Sequence, residues 1–128
     1  MIRCVVVAAA CAAAIAALPV QAQVHRNFPP NALRAELAVA TPPEVLLNGQ
    51  PARLSPGARI RGENNLLQVS STLAGGRWLV HYTADLTGAV LEVWVLNAAE
   101  RANQPWPQTA AEAANWTFDP LAQRWSKP

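Results

Sequence analysis

Sulfur-containing and imidazole side chains are scarce in this chain of 128 residues. Its two cysteines are Cys4 and Cys11, methionine occurs once, at Met1, and its two histidines are His25 and His81. Both cysteines lie within the first 22 residues, so the rest of the chain has no disulfide, no thiol nucleophile and no thiolate ligand. Two distant histidines without a HExxH motif exclude the usual zinc and copper sites. We therefore expect no metal and no cofactor.

Charged residues are also few, at 14% of the chain, and the formal net charge is only +2. Nucleic-acid-binding domains carry a strong positive excess on their surface, so this balance argues against that class of partner. A length of 128 residues excludes a multidomain enzyme and fits one small domain at most.

Residues 1–22 form a separate segment with the pattern of a signal peptide. Nineteen of them are apolar, Arg3 supplies a basic start, and the apolar run over 4–18 is too short to span a bilayer comfortably. Small or β-branched residues at the −3 and −1 positions predict signal peptidase cleavage between Ala22 and Gln23. An uncleaved membrane anchor remains as an alternative, whereas lipidation at Cys11 is disfavoured because the apolar core before it is too short. The mature chain is expected to be periplasmic or secreted, without a membrane span.

Residues 23–31, with Pro29-Pro30 and no periodicity, predict an extended leader, which Phe28 could anchor on the folded domain. Residues 32–97 show the period-two alternation of half-buried strands. It is clearest in the first strand, where one face carries Leu33, Ala35, Leu37 and Val39. This stretch is expected to form the core of the domain.

Turn residues divide this stretch into short strands. Asn48-Gly49 between apolar runs is a strong hairpin signal, because both positions of a type I′ turn need positive φ. Ser55-Pro56-Gly57 predicts another turn, and Leu66–Leu73 predicts a strand. The closing strand is expected to turn Leu91, Val93 and Val95 to the core and Trp94 to the opposite face.

Residues 98–128 form a tryptophan-rich tail. Thr109-Ala110-Ala111-Glu112 has the form of a capping box and predicts a short helix ending near Asn115. The segments 116–118 and 124–126 then flank an Asp-Pro turn, which predicts an isolated hairpin. Trp106, Trp116 and Trp125 are expected to clamp this tail onto the core.

These elements predict an all-β, mainly antiparallel domain, built as a small five- or six-stranded barrel that is closed or nearly closed, with a short C-terminal helix and hairpin. The segment Glu44–Leu96, with Val45–Gln50 and Leu54–Arg61, resembles the small, uncharacterised exported β-barrels of proteobacteria. The topology of those barrels is OB-like. This resemblance implies architecture and compartment, and it transfers no functional residue.

The sequence contains few residues in an arrangement that suits catalysis. His81 with Asp85 and a hydroxyl from Ser70, Ser71 or Thr83 would make a hydrolytic triad on paper. However, His81 lies in the middle of a strand with no nucleophile elbow nearby, so a structural histidine is favoured. The carboxylates are scattered singly, which gives no acid–base pair of the glycosidase type.

Two pairs of residues are candidates for ligand binding. Arg59 and Arg61 would form a small basic patch if they share one outer face, which suits an anionic partner in the cell envelope. Trp94 and Trp106 would stack on sugar rings if they are exposed, and otherwise the tail covers them.

We therefore expect an exported, non-enzymatic binding or protein-interaction module whose partner is an envelope protein. The alternative is a carbohydrate- or peptidoglycan-binding module that stacks sugars on Trp94 or Trp106 and holds carboxylates with Arg59 and Arg61. A hydrolase that uses His81 is a third and weaker hypothesis. No pattern in the sequence indicates the oligomeric state.

Overall fold

The computed structural model describes residues 25–128, so the predicted signal peptide and its cleavage site at Ala22 and Gln23 lie outside the described residues. The elements in chain order are β1 (Leu33–Val39), β2 (Glu44–Leu47), β3 (Gln50–Arg61), β4 (Leu67–Gln68), a 3-10 helix (Ser70–Leu73), β5 (Arg77–Ala84), β6 (Val90–Val95), α1 (Ala98–Ala102), α2 (Ala110–Asn115), β7 (Thr117–Asp119) and β8 (Arg124–Ser126). Within this range no helix is long and apolar enough to cross a membrane.

Five strands close into a barrel in the order β1-β2-β3-β6-β5, with β5 returning to β1, and the short β4 adds to the end of β3. The prediction of a small all-β barrel is confirmed. All its pairs are antiparallel except β3 with β6, which run parallel. The barrel is therefore mixed, with the OB-like connectivity in which a three-strand meander is followed by a strand pair that closes the sheet.

The barrel interior follows the period-two alternation of the strands. β1 and β5 contribute Leu37, Val39 and Val80, and these pack against core residues from the other strands. From β6, Val90, Val93 and Val95 are buried in the barrel interior, whereas Leu91 is only half-buried. The prediction of Leu91 as a core residue was wrong, because the pairing of β5 with β6 shifts register between Thr83 and Ala84.

The hairpin prediction at Asn48-Gly49 is confirmed. Both residues have positive φ, 51° and 79°, as a type I′ turn requires. The Oδ1 atom of Asn48 also accepts a hydrogen bond of 2.9 Å from the backbone N–H of Glu36 in β1. The turn therefore fixes the register of β2 against both of its neighbours.

Two local predictions differ from the structure. Ser55-Pro56-Gly57 is no turn but lies inside the 12-residue β3, where the pairing with β6 slips between Leu54 and Arg59. Proline lacks an N–H and is tolerated at such a bulge, which bends β3 around the barrel. The predicted strand Leu66–Leu73 pairs only at Leu67–Gln68 and then becomes a 3-10 helix. In that helix the Thr72 hydroxyl donates to the carbonyl of Val69 at 2.7 Å.

The leader and the tail form a second layer over the outer face of β1, β5 and β6. Its apolar cluster consists of Phe28, Ala32, Trp94, Leu96, Trp106 and Trp125. The predicted helix and hairpin are both present as α2 and β7–β8, and Thr109 caps α2 by accepting from the N–H of Glu112. The short helix α1, which was not predicted, has a full capping box between Asn97 and Glu100. The second layer gives the barrel two apolar clusters rather than one.

Candidate functional site

Arg59 and Arg61 flank the buried Ile60 in β3, so both side chains lie on the outer face of the barrel. Arg59 is exposed and Arg61 is half-buried, and their Cα partners in β6 are Glu92 and Trp94. The predicted basic patch thus exists as a pair on one face, with a carboxylate-bearing residue beside Arg59. Within residues 25–128 neither arginine forms a salt bridge.

Trp94 and Trp106 do not form a stacking platform. They are only 8% and 4% exposed, and the ring of Phe28 contacts both edge-on at centroid distances of 5.5 and 5.9 Å. The indole N–H of Trp106 donates to the carbonyl of Ala32 at 2.9 Å. Of the two outcomes considered for Trp94, the structure shows coverage by the second layer, so neither ring is exposed for stacking on a sugar.

The proposed triad around His81 is not assembled. The Nε2 atom of His81 accepts from the guanidinium of Arg34, at 3.2 Å from Nε and 3.1 Å from Nη2. Asp85 instead accepts from the hydroxyl and N–H of Thr87 and from the N–H of Ala89 in the β5–β6 turn. His81 has no carboxylate or hydroxyl partner within residues 25–128, so the geometry does not support a hydrolase that uses His81 as its base.

His81 is instead part of a buried charged cluster that the sequence analysis missed. The cluster consists of Arg26 from the leader, Arg34 from β1, His81 from β5 and Glu100 from α1. Both carboxylate oxygens of Glu100 accept from Arg26, which also donates to the carbonyls of Gly62 and Val95 at 2.8 and 2.7 Å. These bonds join the leader to the barrel and to α1.

Arg34 has no carboxylate in hydrogen-bond contact within the described chain. Besides His81, it donates to the carbonyls of Asn103 and Glu100, both at 2.8 Å. Burial lowers the pKa of Arg34 to about 10, with the charge of Glu100 opposing that shift. The guanidinium remains protonated at neutral pH and is solvated by backbone carbonyls.

The same surroundings keep the imidazole of His81 neutral. Burial, followed by the charges of Arg34 and Arg26, lowers the pKa of His81 to about 2. Since the guanidinium can only donate, the Nε2 atom must accept and the ring proton is on Nδ1. That Nδ1–H is buried and has no hydrogen-bond partner in the described chain. An unsatisfied buried donor of this kind costs about 1–3 kcal/mol.

A cavity of about 370 Å³ lies beside this cluster, and we call it the leader cavity. It is bounded by the leader, β5, α1 and the β7–β8 hairpin. Its wall includes Phe28, His81, Ala99, Glu100, Ala122 and Arg124, of which His81 and Glu100 belong to the buried cluster.

A second cavity, of about 750 Å³, opens at the end of the barrel between β4 and the start of β5, and we call it the barrel mouth. Its wall includes Leu67, Val69, Leu73, Trp78 and Val95. The indole N–H of Trp78 donates to the carbonyl of Leu73 at 3.0 Å, which holds the half-buried ring in the wall.

Several apolar side chains are exposed at and beside the barrel mouth. Leu66, Leu67 and Val69 are 64%, 65% and 67% exposed, and they lie within four consecutive residues. The sequence carried a signal for this surface, since the run from Leu66 to Val69 lacks the period-two alternation of a half-buried strand. Arg26 and Arg34 carried no comparable signal, because their burial depends on segments far away in the chain.

Groups of three or more side chains suited to holding a metal ion do not occur within residues 25–128. Comparison of the chain with protein-family models, with curated proteins and with solved structures finds no match.

Proposed function

We propose that this chain is an exported, non-enzymatic protein-interaction module that binds an apolar segment of an envelope protein at the barrel mouth. The observation that carries the proposal is the exposure of Leu67 and Val69 in the wall of a cavity of about 750 Å³, with the exposed Leu66 next to Leu67 in the chain. Contiguous exposed apolar side chains on a small domain are characteristic of protein interfaces, and barrel mouths are common binding positions.

The energetics of this surface favour an apolar partner. Full burial of one leucine or valine side chain contributes about 1.5–3 kcal/mol. Leu66, Leu67 and Val69 are about two-thirds exposed, so their burial would contribute roughly 3–6 kcal/mol. This lies at the lower end of the about 4–15 kcal/mol that association costs, so a partner must add further apolar contacts, for which the half-buried ring of Trp78 in the adjacent wall is available. A partner would place one or two apolar side chains in the mouth and cover the rim with the flanking chain.

A positively charged residue near the rim indicates which charge the partner carries. Arg61 in β3 is the Cα partner of Leu67 in β4, so the two side chains lie on the same face of the sheet. Because Arg61 lacks a salt bridge within residues 25–128, an acidic side chain next to the apolar segment would find a free cation there. We therefore propose a partner segment that combines apolar residues with an aspartate or glutamate.

Export rests on the sequence of residues 1–22, which supports a periplasmic or secreted location for the mature domain. The carbohydrate alternative required exposed rings at Trp94 and Trp106, and both are buried, so the proposal does not extend to sugars.

The test compares two double variants of the tagged full chain. Leu67→Ser with Val69→Ser removes the apolar rim, whereas Leu86→Ser with Leu121→Ser removes two leucines that are 107% and 94% exposed elsewhere. Partners are captured from envelope extract with a photo-crosslinking amino acid in place of Leu66. Thermal unfolding of both variants checks that the fold is intact.

We expect the rim variant to lose the crosslinked partner and the control variant to retain it. Equal capture by both variants would place the interface elsewhere, and equal loss would indicate non-specific adhesion of apolar residues. Either result contradicts the proposal. Sedimentation of the wild type with purified peptidoglycan would also contradict it, in favour of the carbohydrate alternative.

A further inference from the structure

The leader cavity is independent of the barrel mouth, because it lies in the second layer, outside the barrel wall. Its volume of about 370 Å³ is within the range of about 300–1,000 Å³ that is usual for small-molecule pockets. The wall combines the ring of Phe28 and the methyl groups of Ala99 and Ala122 with polar and charged residues, among them His81 and Arg124. A small molecule that has both an apolar and a polar part suits such a wall.

His81, a residue of the cavity wall, carries a buried hydrogen-bond donor that has no partner within the described chain. His81 is 1% exposed and lines the cavity. Its Nε2 atom is occupied by Arg34, which leaves the Nδ1–H without an acceptor in the described chain. Buried donors in native proteins are nearly always satisfied by protein, water or ligand. An acceptor supplied from outside the chain would complete this site.

The charges around the cavity favour an anion as that acceptor. Arg26 and Arg34 are both buried, and the only carboxylate bonded to either within the described chain is that of Glu100, whose two oxygens are both held by Arg26. The buried cluster therefore carries an excess of one positive charge. Arg124 at the cavity wall adds a second cation, and His25, also at the wall, is exposed.

We propose that the leader cavity binds a small organic monocarboxylate, whose carboxylate accepts the Nδ1–H of His81 and whose apolar part contacts Phe28, Ala99 and Ala122. A single negative charge matches the excess of the buried cluster. A phosphate dianion would exceed that excess. This inference does not depend on the interaction proposed for the barrel mouth.

The first test observes His81 directly in the full chain. Since the chain has only two histidines, labelling histidine with nitrogen-15 produces only two imidazole spin systems, and His25 serves as an internal control. Sodium benzoate is the probe, benzamide is its uncharged analogue, and inorganic phosphate is the alternative anion. We expect benzoate to shift the Nδ1–H signal of His81 saturably and to leave His25 unchanged. Benzamide should bind at least about tenfold more weakly.

The second test uses variants and calorimetry with the same three probes. His81→Phe keeps an aromatic ring beside Trp106 but removes the Nδ1 donor, together with the Nε2 acceptor of Arg34, and it should abolish benzoate binding. Arg124→Gln should weaken binding roughly threefold, since this arginine is exposed. Arg59→Gln, on the outer face of the barrel and outside the cavity wall, should bind benzoate as the wild type does.

Several results would overturn the inference. They are the absence of a saturable benzoate shift at His81, equal binding of benzoate and benzamide, and tighter binding of phosphate than of benzoate. Any of them would indicate that water fills the cavity or that the site selects another ligand. If His81→Phe does not fold, the shift of the wild-type Nδ1–H still decides between these outcomes.

Discussion

Replacement of His81 by glutamine should change the pH dependence of folding stability. In the folded chain, burial and the charges of Arg34 and Arg26 lower the pKa of His81 to about 2, whereas an exposed histidine titrates near 6.5. Glutamine offers Arg34 an oxygen acceptor of similar reach and has no ionisable group. The substitution therefore removes the titration while it keeps the hydrogen bond to Arg34.

The direction of the effect follows from proton linkage. Below about pH 6.5 the unfolded chain binds a proton at His81, but the folded chain does not bind it until the pH approaches the lowered pKa. The contribution of the neutral imidazole is therefore complete above pH 6.5 and is lost progressively in acid. At a limiting slope of about 1.4 kcal/mol per pH unit, the wild type should lose about 2–3 kcal/mol from this residue between about pH 6.5 and 4.5.

Urea unfolding of the wild type and of His81→Gln, at about pH 7.5, 5.5 and 4.5, measures this difference. Carboxylates also titrate over the interval, but their contribution is common to both proteins and cancels in the comparison. The stability difference should shift by about 2–3 kcal/mol in favour of the variant from the highest to the lowest pH. His25→Gln, at an exposed position, should follow the wild type. Parallel curves for wild type and His81→Gln would refute the buried neutral imidazole.

Three further substitutions test the packing and the caps. Trp125→Ala should lower the free energy of unfolding by about 3–5 kcal/mol in urea, because this ring is 5% exposed and stacks on Phe118. Trp116→Ala should lower it less, because Trp116 is only half-buried, and the reverse order would contradict the tail packing. Gly49→Ala should cost about 1 kcal/mol or more, because φ is 79° there, and an unchanged midpoint would argue against the type I′ turn. Asn97→Ala should cost about 1 kcal/mol by loss of the α1 capping box, and hydrogen exchange of the α1 amides should rise; unchanged exchange would contradict that cap.

Local patterns predicted most of the secondary structure. Four elements could be predicted because each depends on residues within a few positions of one another. They are the strand β1, the Asn48-Gly49 turn, the helix that Thr109 caps and the tail hairpin. The helix α1 was missed although its capping box is local, whereas the error in β3 arose from its partner strands. Ser55-Pro56-Gly57 has turn chemistry, yet β3 continues through it as a bulge because the strand must pair with β2 at one end and with β6 at the other.

The candidate sites depended on the tertiary structure to a greater extent. From its strand position, Trp94 could be either exposed or covered by the tail. Only the docking of Phe28 and the tail against the outer face of β6 decided that it is buried. The apolar run at Leu66–Val69 was visible, but its exposure at the barrel mouth followed from the early end of β4. The alternation around Ile60 was sufficient to predict that Arg59 and Arg61 lie on one outer face.

By itself, the sequence determined a cysteine-free small β domain with a signal-like first segment, a type I′ hairpin, and a tail that carries three of the five tryptophans. The tertiary structure alone decided the parallel closure by β3 and β6, and the burial of a charged cluster under the second layer. Periodicity reports which face of a strand is apolar, whereas the covering of the other face depends on distant segments. Arg26 meets Glu100 across 74 positions and Arg34 meets His81 across 47, and such contacts form only when the whole chain has folded.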